Sequence, residues 1–371
     1  MPDTETRPLF TLERTLGCTW QHLRKADSAA SEARSELAAI LEKGIGKFAT
    51  EDANLVVFGS LARREWIDWE SDLDWTYLID GQANSRHLKI TQQIRSTLEK
   101  EGRTVDGHFQ SRFAEPGATG TFGNLGFSHQ LVHLIGGQDD TNKNMTQRML
   151  LLLESVPIGS RPAYDRVVRA IIDRYLEEEA HILVEGGKRF KVPRFLLNDI
   201  VRFWRTMAVD FASKQRDRGG KGWGLRNAKL RMSRKLIFAS GILVCFQCNL
   251  NATLQGKIST GSRDINLKHL ANHIWECANS TPLDIMASTI QSAGINLDVA
   301  RSLFSSYDEF IGVMSDKDMR AELKLMSPAD SRSNPVFAQI RKISKKFESS
   351  LNNLFFRSDD VRPLTEKYGV F

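Results

Sequence analysis

The alternation of apolar and polar positions early in the chain predicts two neighbouring strands joined by a turn. Residues 55–58 form a short apolar run rich in β-branched side chains, as expected of a buried strand. Gly59 and Ser60 interrupt this run, and the residues that follow, LARREW, have helical character. A second apolar run begins at Trp75, directly after two acids, Asp72 and Asp74, that flank a leucine. The pattern therefore predicts strand, turn, short helix and strand in that order.

A period of three to four residues predicts helices on both sides of this stretch. Residues 11–47 are predicted to be helical and carry the apolar stripe Leu37, Ile40, Leu41 and Ile45. Residues 87–102 predict a second helix that ends at Gly102, which would serve as a C′ glycine. Residues 104–113 predict a further strand because apolar and polar positions alternate there.

Prolines and glycines near residue 160 mark a change in this pattern, because strand-like alternation is scarce beyond them and helical periods dominate. We therefore predict an α+β protein with a small mixed β-sheet and flanking helices, followed by an all-helical C-terminal domain. The predicted boundaries are 1–50 for a helical segment packing on the core, 51–160 for the sheet domain and 161–371 for the helical domain.

Composition restricts the class of protein only loosely. The 371-residue chain is 41% hydrophobic and 26% charged, and its length allows two or three domains. A net charge of +6 is compatible with a polyanionic partner, although ordinary surface solvation also accounts for it. No apolar run reaches the about 20 residues of a membrane span, and the N-terminus lacks a signal-peptide pattern, so we expect a cytoplasmic protein without a membrane partner. Cys245 and Cys248 lie in an apolar helical stretch, which favours buried thiols over a zinc site.

Asp72 and Asp74 are the candidate metal ligands. Residues i and i+2 of a strand point to the same face, so the two carboxylates are expected to repel each other unless a cation lies between them. Carboxylate oxygens suit Mg²⁺, which commonly completes its shell with substrate phosphates. His129 and His133 also stand four residues apart, but they lack the glutamate of a zinc-protease motif. Packing, capping or a substrate contact are the alternatives for these histidines.

The pattern Gly59-Ser60, eleven residues, Asp72-Leu73-Asp74 resembles the DNA polymerase β-like nucleotidyltransferase superfamily. The stretch LLLLESVPIG at 150–159 is similar to a segment of protein-PII uridylyltransferases, and the resemblance to that branch, with the glutamine synthetase adenylyltransferases, covers roughly residues 37–160. It implies an enzyme that moves a nucleoside monophosphate from a nucleoside triphosphate, ATP among them, to an acceptor hydroxyl. Pyrophosphate is released, and two Mg²⁺ ions, or Mn²⁺, assist.

The resemblance assigns Asp72 and Asp74 to the metal ions and implies a third carboxylate on a strand beside them. Asp106 is the candidate by order and by face. A glycine-containing loop at 114–120 is similar to a family loop, yet alignment on it places the family's aspartate at Gln110. Three arrangements therefore remain: Asp106 is the third ligand, the strand register differs, or the site has two protein carboxylates.

The resemblance also implies contacts to the triphosphate. Gly59 allows close approach of the backbone, Ser60 adds a hydroxyl donor and Arg63 adds charge, at the start of a helix whose free N–H groups favour phosphate. In related enzymes the helical domain supplies a basic and a small polar residue, a role that Lys229 and Ser233 fit by their i, i+4 spacing. A solvated basic helix face is the alternative for these two residues.

The acceptor is a protein side chain, an RNA end or another nucleotide, and DNA is not specifically indicated. An alternative function is a nucleotide-sensing or RNA-binding module of the same fold with little or no turnover. The uncertain third carboxylate and the basic residues at 226–235 motivate this alternative. A component of a toxin–antitoxin or antiphage system is a third interpretation, which gene neighbours would test.

Overall fold

The computed structural model describes residues 4–105, 108–113, 123–183, 192–217, 219–258 and 262–369. The strands are β1 (Ala53–Phe58), β2 (Asp74–Ile79), β3 (Gly102–Val105), β4 (His108–Ser111), β5 (Asn124–Phe127) and β6 (Ser155–Ile158). The first helices are α1 (Pro8–Leu16), α2 (Gln21–Ile45), α3 (Gly59–Ala62), α4 (Ser85–Lys100), α5 (Ser128–Val132), α6 (Asn142–Leu153), α7 (Pro162–Leu183) and α8 (Arg194–Asp217). The later ones are α9 (Trp223–Lys229), α10 (Lys235–Leu250), α11 (Ala252–Ile258), α12 (Arg263–Ala278), α13 (Pro282–Ser292), α14 (Leu297–Ser315), α15 (Lys317–Leu325), α16 (Pro335–Arg357) and α17 (Arg362–Leu364).

The chain divides into two compact units, which we call the core unit (Lys25–Arg174) and the helical unit (Met1–Arg24 with Tyr175–Phe371). The boundaries fall within α2 and α7, and so differ from the predicted ones. The N-terminal part belongs to the helical unit because the buried Arg7 guanidinium contacts Asp284, with 2.7 Å between Nη2 and Oδ2. The mixed α+β class and the helical C-terminal region are confirmed.

A four-stranded mixed sheet in the order β5-β2-β1-β6 forms the centre of the core unit. Strand β1 is antiparallel to both β2 and β6, and β2 is parallel to β5. This register sets Phe58 opposite Asp74 and Thr76 opposite Asn124. Strands β3 and β4 form a separate antiparallel hairpin.

The two faces of the sheet differ in what covers them. Alternate residues of β1 and β2 on one face, such as Leu55, Val57 and Tyr77, are buried with the apolar stripes of α2 and α4. Each such side chain contributes roughly 1.5–3 kcal/mol by leaving water. The other face carries a small pocket lined by Val56, Phe58, Thr76, Leu78, Gly126, Leu131, Gln147 and Leu151. Asp74 lies on this second face as well, because it stands two residues before Thr76 in the same strand.

The strongly patterned strands were predicted, and the short ones were not. Strands β1 and β2 are confirmed, but the single strand predicted over 104–113 is wrong because these residues contribute to the β3–β4 hairpin. Helix α4 ends at Lys100 with Glu101 as its C-cap, so Gly102 stands at the predicted C′ position, although without a positive φ, and it also opens β3. Residues 11–47 are also interrupted, because Gly17 with a φ of +60° ends α1. Strand β6 contains Pro157, which is tolerated because β6 lies at the edge of the sheet.

In the helical unit, the described residues contain no strand. The apolar stripe of α16 is buried at Phe337, Ile340, Ile343, Phe347, Leu351 and Phe355. In α8 the apolar side chains of Leu196, Ile200 and Phe203 are buried, and those of Trp204 and Met207 are half-buried. Among the described residues, no single helix has the length and apolar composition of a membrane span, although Trp223–Leu250 and Ala252–Ile258, bent by 51°, meet the requirement together.

The cysteines of the helical unit behave as small apolar residues, as predicted. Cys245, Cys248 and Cys277 are buried free thiols. Burial raises the pKa of Cys277 to about 12, so this thiol stays protonated near neutral pH. The Nε2 atom of His273 lies 3.9 Å from the Cys277 sulfur.

His273 is expected to make the protein less stable in mild acid. Burial lowers its pKa from 6.5 to about 4, so the unfolded chain binds a proton here before the folded chain does. Stability therefore falls as the pH drops from 6.5 towards 4, by on the order of 1–3 kcal/mol from this group. Urea unfolding of wild type and His273→Leu should show a shallower pH dependence in the variant across this window. Equal slopes for the two proteins would contradict the assignment.

Candidate functional site

Asp74 lies on the face of the sheet that is directed away from the main core. Leu73 and Trp75, its neighbours in sequence, are 1% and 2% exposed and belong to the core. Asp74 opens β2 and is half-buried, whereas Asp72 precedes the strand and is exposed. Because Asp72 is outside the strand, the shared face expected from the i, i+2 spacing stays a prediction.

Gly59 lies directly against the Asp74 carboxylate. It follows Phe58, whose register partner in β2 is Asp74. A Cβ atom placed on Gly59 would lie 3.0 Å from Asp74 Oδ2, and the Gly59 φ is +67°. Both the backbone conformation and the lack of space therefore require glycine at this position.

The helix that begins at Gly59 is short. Helix α3 ends at Ala62 and does not continue through LARREW, because Arg64 adopts a left-handed conformation with φ +61°. The Arg63 N–H donates to the Gly59 carbonyl at 2.9 Å, and the Glu65 N–H donates to the Ser60 carbonyl at 2.8 Å. One helical turn carries only a small dipole, so the close approach at Gly59 is the stronger feature of this turn.

Arg63 is buried among carboxylates. Its guanidinium forms ion pairs with Glu65, at 2.9 Å, and with Glu154, and all three residues are less than a tenth exposed. A guanidinium placed in this way neutralises two buried carboxylates. This position favours a structural role for Arg63 over the predicted phosphate contact.

The connection between Ser60 and Asp72 is strained. Arg64 and Trp69 both lie in it, and they are the non-glycine residues with positive φ in the described chain. Such conformations cost of order 1–3 kcal/mol each and persist where neighbours enforce them. Arg103 stacks 4.0 Å from the Trp69 ring centroid, and the Gln110 amide donates to the Trp69 carbonyl at 3.1 Å. The β3–β4 hairpin therefore holds the segment that leads into Asp72.

The third carboxylate is not found in the described residues. Asp106 lies outside them, between β3 and β4. The expectation that its strand runs beside β2 is wrong, because β5 occupies that position. Residue Asn124 of β5 pairs with Thr76 and so shares the face of Asp74. The described chain contains no group of three or more His, Cys, Asp or Glu residues placed to hold one metal ion.

The donor pair nevertheless suits one Mg²⁺ ion. Asp74 offers carboxylate oxygens directly beside the Gly59 turn, and Asp72, two residues earlier in the chain, is exposed. Mg²⁺ commonly binds through one or two carboxylates and takes its other ligands from phosphates and water. A second ion would need a further donor, for which Asp106 stays a prediction.

Lys229 and Ser233 lie in the helical unit, where a π-helical turn (Leu230–Arg234) joins α9 to α10. Lys229 is half-buried, and Ser233 is buried within the π turn. The predicted i, i+4 face is therefore not a regular α-helical face. Single π turns inside α-helices are frequent at functional sites.

The remaining polar candidates have structural partners. The exposed rings of His129 and His133 have centroids 5.2 Å apart. Asp140 is buried in a bidentate pair with Arg148, at 2.8 and 3.1 Å. The Thr141 hydroxyl accepts from the Asn144 N–H at 3.2 Å and so caps the start of α6.

One residue near the site was missed from the sequence. Arg34 of α2 is buried and donates to carbonyl oxygens of α3. Positions 27, 30, 34, 37 and 41 form the buried stripe of α2, and two of them, Asp27 and Arg34, are charged. The signal in the sequence that could have found Arg34 was a charged residue at a position that falls on an apolar helix stripe.

Comparisons of the chain with protein-family models and with curated proteins find no match.

Proposed function

We propose that the chain is a Mg²⁺-dependent nucleotidyltransferase of the polymerase β-like type, which transfers a nucleoside monophosphate from a nucleoside triphosphate to an acceptor hydroxyl. The observation that carries this proposal is the pairing of Gly59 with Asp74. Gly59 has a left-handed conformation, and a Cβ atom placed on it would lie 3.0 Å from Asp74 Oδ2, so a turn compatible with phosphate lies beside this carboxylate. A surface turn without a ligand would not require this close approach.

In this proposal Asp72 and Asp74 hold the metal, which when bound offsets the negative charge that spreads over the phosphates in the transition state. The acceptor oxygen attacks the α-phosphorus, the bond to the β-phosphate oxygen breaks, and pyrophosphate leaves with that electron pair. The acceptor hydroxyl loses its proton to water or to a carboxylate. The two aspartates orient the triphosphate for this in-line displacement, and positioning supplies much of the acceleration.

The phosphate contacts are proposed at two points. The Gly59 backbone approaches the triphosphate closely, and the Ser60 hydroxyl donates to a phosphate oxygen. The contact expected from Lys229 and Ser233 stays a prediction from the sequence. Arg63 is left out because Glu65 and Glu154 hold its guanidinium.

The test is incubation of the protein with each α-labelled nucleoside triphosphate, Mg²⁺ and a cell lysate. Label transfer together with pyrophosphate release is expected, and the labelled product identifies the acceptor class. In the Asp72→Asn/Asp74→Asn variant, pyrophosphate release should fall at least roughly 100-fold, because the groups that hold the charge-neutralising ion are lost.

A matched control removes two carboxylates at the opposite end of the same strands. Asp52→Asn/Asp80→Asn keeps the charge change of the first variant but leaves the Gly59 turn intact. It should retain wild-type release. Undiminished release in a folded Asp72→Asn/Asp74→Asn protein would refute the proposed function.

A second candidate is a nucleotide-sensing or RNA-binding module without turnover. The basic residues at 226–235 favour it, because clustered lysines and arginines contact phosphates. In the same experiment such a module retains a nucleotide or RNA but releases no pyrophosphate with any nucleotide. Its affinity for RNA would fall steeply with salt if phosphate contacts dominate.

A further inference from the structure

Helix α2 directs two charged side chains of its buried stripe at the turn that contains Gly59. Asp27 and Arg34 are two helical turns apart and lie in phase with Ala30, Leu37 and Leu41. Arg34 is 8% exposed and Asp27 is 2% exposed. Charged groups buried to this extent are kept only with specific partners.

Arg34 binds the C-terminal end of α3. Its Nε and Nη2 donate to the Leu61 carbonyl at 3.1 and 2.6 Å, and Nη2 also donates to the Ala62 carbonyl at 2.8 Å. The last carbonyls of a helix lack intrahelical donors and carry partial negative charge, so a guanidinium both satisfies and neutralises them. These bonds attach the short helix to α2.

Asp27 provides a second attachment two residues further along. Its carboxylate accepts from Arg64 Nη1 at 3.1 and 3.2 Å. Arg64 has the left-handed conformation that ends α3. The two contacts of α2 therefore hold the carbonyls of α3 and the residue that terminates it.

The position of α3 sets the contact between Gly59 and Asp74. Helix α3 is four residues long, so a shift of Leu61 and Ala62 also moves Gly59 and Ser60. Gly59 is the residue of this turn that lies against Asp74, because a Cβ atom placed on it would be 3.0 Å from Asp74 Oδ2. Small shifts of packed groups are costly, and they change the geometry of the groups they support.

We infer that Arg34 is a positioning residue for the Mg²⁺–triphosphate site: by holding the carbonyls of Leu61 and Ala62, it keeps the Gly59 turn against Asp74. This inference rests on the proposed function. Arg34 touches neither the metal nor the nucleotide. It acts through the turn, as outer partners of metal ligands commonly do.

The test measures Mn²⁺ binding by electron paramagnetic resonance in wild type, Arg34→Ala and Arg34→Lys. Loss of an outer partner typically weakens metal binding about 10–100-fold, and we expect Arg34→Ala in that range. Arg34→Lys should lie between it and wild type, because one ammonium satisfies fewer carbonyl contacts. Millimolar guanidinium should restore Mn²⁺ binding to Arg34→Ala, which a general loss of stability would not do.

Arg166→Ala is the matched control. Arg166 donates to the backbone carbonyl of Glu51 at 2.6 Å and to the carboxylate of Asp80 at 2.8 Å, at the far end of the sheet. It should leave Mn²⁺ binding unchanged. Combining Arg34→Ala with Gly59→Ala should weaken binding by less than the product of the two single effects, because both displace the same contact.

The outcomes separate the two proposals. If wild type and Asp72→Asn/Asp74→Asn bind Mn²⁺ equally, both the proposed function and this inference are refuted. If wild type binds such an ion and the Arg34 variants bind it equally well, or lose no more than Arg166→Ala, only the inference is overturned. If Arg34→Ala does not fold, Arg34→Lys decides: Mn²⁺ binding equal to wild type overturns the inference, and weakened binding supports it.

Discussion

Gly59→Ala is expected to lower pyrophosphate release by roughly 10-fold in a protein that still folds, because the required shift of a few tenths of an ångström is smaller than the about 1 Å displacement that costs about 100-fold. The added methyl group would lie 3.0 Å from Asp74 Oδ2, closer than carbon and oxygen approach without a shift. Either the turn or the carboxylate must move, and the two groups proposed to flank the triphosphate then separate.

The same substitution carries a conformational cost. Alanine at a φ of +67° is disfavoured by about 1–2 kcal/mol, which urea unfolding would detect. Gly46→Ala is the control, since Gly46 has a φ of +77° in the same unit with no atom within 4 Å of its would-be Cβ. It should lose similar stability and keep full release. Wild-type release from Gly59→Ala would show that the turn and Asp74 do not form one site.

Arg63→Met is expected to destabilise the protein by about 3–5 kcal/mol, the usual consequence of leaving buried charge without its partner. The substitution removes the guanidinium that contacts Glu65 and Glu154, which are 4% and 3% exposed. Urea unfolding measures the loss.

Two further variants show whether burial is the cause. Adding Glu65→Gln and Glu154→Gln to Arg63→Met should recover part of the lost stability. Arg161→Met removes a more exposed ion pair with Asp165, 2.9 Å long, and should cost at most about 1 kcal/mol. A stable Arg63→Met protein with a raised KM for the nucleotide would instead support the phosphate contact predicted from the sequence.

The elements with long, regular patterns could be predicted from the sequence. The apolar run of β1, the run after Asp74 and the stripe of α16 each repeat a single period, so burial on one face follows directly from them. The position of Gly59 beside the acid pair also follows, because antiparallel pairing of two adjacent strands brings the end of one to the start of the next.

The two outer strands of the sheet could not be predicted in the same way. Strands β5 and β6 have four residues each, too few for alternation to stand out, and β6 contains a proline. Their places in the sheet depend on pairing with residues far away in the chain, such as Val56 with Pro157. The candidate Asp106 was assigned by the order of strands, and that order changed when β5 took the place beside β2.

The roles of Arg34 and Arg63 could not be predicted from the sequence either. Arg63 stands next to the glycine turn in sequence, yet Glu154, 91 residues away, holds its guanidinium in the interior. Arg34 stands 27 residues before its partner Leu61, yet it contacts the turn directly. Whether an arginine meets solvent, a phosphate or a carboxylate depends on these distant neighbours, which a local pattern does not contain.

The division of the chain also bears on how the protein is made. The core unit is continuous in sequence, whereas the helical unit is assembled from two separated segments. Arg7 meets Asp284 only after a further 277 residues have been added. During synthesis the core unit can therefore fold on the ribosome before the partner of α1 has been made. In that interval α1 is exposed, so a chaperone or an N-terminal fusion tag would contact it.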